Sequence, residues 1–201
     1  MTEQGIKGVG LCASLTQVGD WALAVALECA QRHRVQLDIF FFPSSPYDAH
    51  APRGRFGESA PLSHRDSIEL ERQMRLYYDS RLGDYLDVGF RLCPGDEDPE
   101  LRRCLLFRKE FDILVLPYPE RGCLFGSLSL EAFAESLPCP VILVGPESED
   151  EFWLNTAARP LAARVLPDGA RWRGLAYPLE TQSVTGVSDD ASGQPGVHPR
   201  S

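Results

Sequence analysis

Residues 90–117 read FRLCPGDEDPELRRCLLFRKEFDILVLP, and the fold turns on how this stretch divides. Asp87 to Cys93 (DVGFRLC) alternates as a strand does, and Pro94-Gly95-Asp96 ends it. Pro99 to Glu110 (PELRRCLLFRKE) predicts a helix with proline in its first turn, where the missing N–H costs little. Ile113 to Leu116 (ILVL) is short and wholly apolar, as a strand buried on both faces is. Strand, helix and buried strand in succession point to a parallel sheet with helices packed on it.

The same alternation extends outward in both directions. Towards the N-terminus, Val9 to Ala13 (VGLCA) reads as a buried strand and Thr16 to His33 as a helix, with Asp20 expected to cap its regular part. Val35 to Phe42 (VQLDIFFF) is a strand stopped by Pro43. Pro43 to Ser63 is rich in Pro, Gly, Ser and Asp and reads as a loop, followed by a helix over Asp66 to Leu82. Towards the C-terminus, a helix is expected from about Leu128 to Ser136 and a last strand at Pro140 to Val144. The acidic run ESEDE at 147–151 breaks the pattern. Beyond it, Ala163 to Arg173 (ARVLPDGARWR) carries a Pro-Asp-Gly turn that suggests a hairpin. From Ser183 onward the chain is polar and Gly-rich, and no fixed structure is expected. The division is thus a domain over 1–146, an extension over 147–182 and a tail over 183–201.

Whole-chain totals narrow the partners. A net charge of -9 over 201 residues lacks the basic footprint that phosphate neutralisation needs, which argues against nucleic acid. No run reaches the roughly 18 to 20 apolar residues of a membrane span. MTEQGIKGVG has no charged start leading into an apolar run, so a cytoplasmic protein is expected. The six cysteines form no C-x-x-C pair and lie mostly in apolar stretches, which favours buried free thiols over disulfides or zinc ligands.

The order and spacing of these elements over residues 5–145 resemble the universal stress protein family. Four pieces carry the likeness. They are the short strand after Lys7 with its long Ala-rich helix, the 90–117 stretch, Gly126-Ser127 opening the last helix, and Pro138-Cys139-Pro140-Val-Ile-Leu-Val. The resemblance implies a three-layer α/β/α sandwich. Its sheet has five parallel strands in the order 3-2-1-4-5, a Rossmann-like fold of the adenine nucleotide alpha hydrolase type. It also implies a homodimer joined through the last strand, Val141, Ile142, Leu143 and Val144. Nucleotide-binding members carry Asp at the end of the first strand and a G-x2-G-x9-G-[ST] loop after the fourth. Glycines there let backbone N–H groups approach phosphate, and the closing Gly-Ser opens a helix.

This chain keeps part of that apparatus. Gly126 and Ser127 match the end of the motif, but counting back thirteen residues puts its first glycine at Ile113, inside a strand. Pro117, Tyr118, Pro119 and Glu120 stand at the strand end, and two prolines remove donors while Glu120 adds negative charge. Ser14 takes the first-strand position that is usually Asp. Candidate nucleotide-binding residues are therefore Gly126, Ser127, Gly122, Arg121 and Ser14, with ATP or AMP as the ligand. Gly126-Ser127 as a plain helix cap is the competing reading. No catalytic pair or metal set emerges. The expectation is a regulatory, stress-adaptation protein working as a non-enzymatic homodimeric adaptor with an eroded ATP loop and a protein partner. The alternative is a nucleotide binder with at most slow hydrolysis. A redox role for Cys123, beside Arg121, stands behind both.

Overall fold

The computed structural model describes residues 5–42, 64–93, 97–125 and 127–175. In chain order the elements are β1 (Gly8–Cys12), α1 (Gln17–His33), β2 (Gln36–Phe41), α2 (His64–Leu82), β3 (Val88–Leu92) and α3 (Glu97–Arg103). Then come β4 (Ile113–Pro117), β5 (Leu124–Phe125), β6 (Leu128–Ser129), α4 (Leu130–Ser136), β7 (Val141–Val144), β8 (Glu151–Leu154), α5 (Ala162–Val165) and β9 (Arg171–Gly174). A π-helical turn over Cys104–Arg108 continues α3 and ends at Lys109, whose φ of 52° is left-handed.

The main sheet runs β3-β2-β1-β4-β7-β8-β9. Its first five members are mutually parallel and stand in the expected 3-2-1-4-5 order, with β7 as the fifth. The expectation of five strands, all parallel, is corrected by the C-terminal part. β8 pairs antiparallel to β7, and β9 runs parallel to β8. Phe152 and Leu154 alternate with half-buried Glu151 and Trp153, so one face of β8 joins the core. The acidic run 147–151 is therefore the connection between two sheet neighbours, with Glu151 already the first residue of β8. Residues 147–175 complete the same sheet. The Pro-Asp-Gly turn forms, with Ala170 N–H on Pro167 O at 3.1 Å, but it joins α5 to β9 and makes no hairpin. Residues 43–63 and 176–201 lie outside the described residues, and with them the expected loop and tail.

Each face of the sheet buries its own cluster. Val9, Leu11, Leu37, Ile39, Ile113, Val115 and Ile142 pack under α1 and α2, with Ala22, Ala26, Met74 and Tyr78 supplied by the helices. On the opposite face, Phe40, Leu114, Leu116, Val141 and Leu143 meet Leu101, Leu130 and Phe133 from α3 and α4. This is the three-layer arrangement expected of alternating strands and helices. Helix starts differ from expectation in one respect. Thr16, not Asp20, caps α1: its hydroxyl accepts Gly19 N–H at 3.1 Å. Asp20 instead accepts Tyr77 O–H at 2.8 Å and Arg81 Nε–H at 2.9 Å, tying α1 to α2.

Asp38, in the middle of β2, is 3% exposed. Burial raises its pKa, while Arg91, 3.9 Å away, only partly opposes the shift and Glu110 adds to it. The folded state therefore holds this proton more tightly than the unfolded chain does. The stability linked to the protonated form is present at low pH and lost as pH rises from the ordinary carboxylate range through the raised value. Asp38→Asn is expected to be more stable than the parent at pH 7 by about 1 kcal/mol. It should also show a flatter stability profile above about pH 4. Urea denaturation at several pH values checks both.

Candidate functional site

In open α/β sheets the ends of the parallel strands present the loops available for chemistry. After β1, Ala13 N–H is taken by Phe40 O at 2.7 Å, and Ser14 is 4% exposed. The Ser14 hydroxyl shares a hydrogen bond of 2.9 Å with Thr16 Oγ1, and Thr16 itself serves α1. The first of the candidate ligands is thus built into the helix start and does not stand open to a phosphate.

After β4 the chain turns through Tyr118 to Cys123. Gly122 has φ 72°, a conformation other residues adopt only under strain. Its N–H points inward and donates to Glu131 Oε1 at 2.7 Å. Tyr118 O–H donates to the same oxygen. Burial alone would raise the Glu131 pKa, but these hydrogen bonds outweigh it and hold the carboxyl below its ordinary value. Tyr118 moves the opposite way: burial and the bond to Glu131 push its phenol up. Glu131 is consequently a fixed anion under the loop. Two further backbone donors of the loop are also engaged, Tyr118 N–H with Val144 O at 2.8 Å and Cys123 N–H with Glu120 O at 3.4 Å.

The expected helix opening at Gly126-Ser127 is displaced. β5 and β6 pair antiparallel with Phe125 opposite Leu128, so Ser127 is an exposed turn residue of a small hairpin. Ser129 is the residue that caps α4, accepting Ala132 N–H at 3.2 Å. Leu130 N–H is taken by Cys123 O at 2.8 Å. The reading of Ser127 as helix cap is therefore corrected by two positions, and Gly126 lies outside the described residues. Arg121 lies against the Trp153 ring, with its guanidinium carbon 5.0 Å from the centroid. Cys123 is half-buried, and burial pushes its thiol up to about 11, with Glu131 and Glu120 adding to the shift. A thiol so raised is the reverse of a reactive thiolate and gives no support to the redox role that stood behind the other readings.

Sequence reasoning missed Glu131, Tyr118 and Trp153. Glu131 carries no local signal, because its partners lie 9 and 13 residues away on the far side of the hairpin. Among the described residues no group of His, Cys, Asp and Glu is placed to hold a metal. An open groove of about 470 Å³ runs along α1, lined by Asp20, Leu23, Leu27, Glu28, Gln31 and Arg81. It flanks the helix and does not touch the β4 loop. No described helix is long and apolar enough to cross a membrane.

No known protein family's sequence pattern and no curated protein matches this chain. Solved structures do. The universal stress protein from Archaeoglobus fulgidus is similar over 68% of this chain and 92% of its own, at 16% identity and a TM-score of 0.46. The universal stress protein UspA from Lactobacillus plantarum covers 69% of this chain and 97% of its own, at 13% identity and a TM-score of 0.49. A universal stress protein family member from Burkholderia pseudomallei covers 69% and 95%, at 14% identity and a TM-score of 0.40. These structural neighbours are universal stress proteins. At such identities the likeness is one of chain path and says nothing of residue roles.

Proposed function

We propose that the chain is a universal-stress-type regulatory protein that works as a non-enzymatic adaptor, its nucleotide loop closed by its own carboxylate. The observation that carries this reading is Glu131 Oε1, which receives Gly122 N–H and Tyr118 O–H in the loop after β4. A fixed negative charge there repels a polyphosphate, and the Gly122 N–H and Tyr118 O–H that could bind one are already used. The motif-level resemblance over residues 5–145 and the β3-β2-β1-β4-β7 order support the family part of the reading.

For self-association, which the resemblance also implies, we propose a surface other than β7. Val141–Val144 are buried, and β7 is hydrogen-bonded to β4 on one side and β8 on the other. With both edges of β7 paired, a contact elsewhere than Val141, Ile142, Leu143 and Val144 is the form of the homodimer we favour. Sedimentation equilibrium at micromolar concentration tests the homodimer, and a monomer would remove it.

The nucleotide question is settled by thermal shift with ATP, ADP and AMP, with and without magnesium. A ligand bound only by the native state at a hundred times its Kd adds about 2.7 kcal/mol, a readily visible shift. The expected result is no shift up to millimolar ligand. A saturable shift would instead favour the second reading, a nucleotide binder using Arg121, Gly122, Gly126 and Ser127, and Gly126→Trp should then abolish it.

A further inference from the structure

β9 is the last strand of the sheet, and among the described residues its outer edge has no partner. Which backbone groups face outward follows from the ladder. Leu175 N–H bonds Leu154 O at 2.9 Å, and β9 runs parallel to β8 in the register Leu154 with Gly174. In a parallel strand, both polar groups of a residue point to the same neighbour, and alternate residues point to opposite neighbours. Arg171 and Arg173 therefore serve β8. Trp172 and Gly174 turn their N–H and C=O groups to the open edge.

The side chains along this edge are basic. Arg171 and Arg173 share one face of the sheet, and Arg173 has a side chain 64% exposed. Arg173 also lies against the Trp153 ring at 5.3 Å from its centroid, the same indole that carries Arg121 at 5.0 Å. An indole held in the sheet thus carries two guanidinium groups, one from β9 and one from the β4 loop, stacked so that their N–H edges can meet an anion. Glu151, 3.7 Å from Arg173, is the only counter-charge recorded for the three arginines among the described residues, and it is 13% exposed. Trp172, on the opposite face, is 41% exposed. In a chain of net charge -9, a basic strip on an open strand edge is a local reversal of sign.

We propose that the β9 edge receives an extended acidic peptide from a partner protein as an added strand. Trp172 and Gly174 would supply the main-chain bonds, and Arg121, Arg171 and Arg173 would read carboxylates at alternate positions of the peptide. This inference does not depend on whether the β4 loop binds a nucleotide. The competing meaning of the arginines is protective, because charged residues on an edge strand discourage pairing.

The test is fluorescence anisotropy of a labelled eight-residue peptide alternating Glu and Val, titrated with the full chain at about 50 mM salt. Saturable binding that weakens with added salt is expected, and the matching Lys-Val peptide should not bind. Arg173→Glu should weaken binding by about tenfold or more. Trp172→Pro removes an outward N–H without breaking the β8 ladder, and it should weaken binding well beyond Trp172→Ala, which keeps the N–H. No binding of the Glu-Val peptide at millimolar concentration would overturn the proposal and leave the arginines as an edge guard. Equal binding by Trp172→Pro and Trp172→Ala would overturn strand addition. Self-association of the chain that Trp172→Pro abolishes would overturn the acidic peptide in favour of a second copy.

Discussion

Asn155→Ala is expected to lower the stability of the chain by about 4 kcal/mol, the sum of several lost buried hydrogen bonds at roughly 1 kcal/mol each. Asn155 is 1% exposed and follows β8 directly. Its Oδ1 accepts Val141 N–H and Ala158 N–H, each at 2.9 Å. Its Nδ2 donates to Ala134 O and Cys139 O, again each at 2.9 Å. One amide thus satisfies the end of α4, the approach to β7, the first residue of β7 and the turn leaving β8. Alanine would leave Val141 N–H and the Cys139 carbonyl without these partners in a buried region, while Ala158 N–H would keep only the Asn155 carbonyl at 3.1 Å and the Ala134 carbonyl only Leu137 N–H at 3.4 Å. Asn155→Asp is the sharper comparison. It keeps an acceptor for the two N–H groups but sets a second oxygen against the Ala134 and Cys139 carbonyls. It too should destabilise, and more as its carboxyl ionises. Urea denaturation reads the loss as a lower midpoint at unchanged slope. Hydrogen exchange at Val141 should accelerate more than exchange at Leu114, whose N–H bonds Pro140 O. A loss below about 1 kcal/mol would mean that the four bonds do not hold the C-terminal strands to the sheet.

How much of this was legible in the sequence depends on how local each cause is. The five parallel strands were legible because ILVL, VGLCA and VILV are uniformly apolar, and burial on both faces leaves few other places for them. The helices were legible from their periodicity, to within about two residues at their starts. β8 and β9 were not. EFWL is four residues long and follows an acidic run, and RWRG is mostly exposed, so neither carries a burial pattern strong enough to stand alone. The place of β8 comes from Asn155 and from pairing with Ile142–Val144, and that of β9 from pairing with β8, contacts that are not local in sequence.

The site divides in the same way. The lack of glycine at 117–120, where β4 hands over to the loop, was readable, and so was the loss of donors at Pro117 and Pro119. That Glu131 fills the space was not, because it depends on the pairing of β5 with β6 bringing the first turn of α4 under Gly122. Arg121 was read beside Cys123 from adjacency in the sequence, and the structure places it on Trp153, 32 positions along the chain.

Gly19→Ala is expected to cost about 3 kcal/mol or more, against a helix-propensity gain of about 1 kcal/mol that would favour it if the helix stood alone. A Cβ on Gly19 would lie 1.9 Å from Ser14 O and 2.7 Å from Ser14 C. Both are backbone atoms, so no side chain can swing aside, and either the first turn of α1 or the Ser14 peptide has to move. Moving the turn breaks the Thr16 cap, which holds Gly19 N–H at 3.1 Å. Moving Ser14 disturbs the end of β1, where Ala13 N–H meets Phe40 O. Ala24→Gly is the control on the same helix. Ala24 is exposed, so its change should cost only the propensity difference of about 1 kcal/mol. The two substitutions are propensity opposites, and a larger loss for Gly19→Ala can come only from the close approach. The same contact bears on function. The segment after β1 is pressed so tightly against α1 that Ser14 cannot yield to a ligand unless the helix start moves with it. A Gly19→Ala chain as stable as the parent would show that this approach is loose. The first-strand loop would then become available again for a nucleotide.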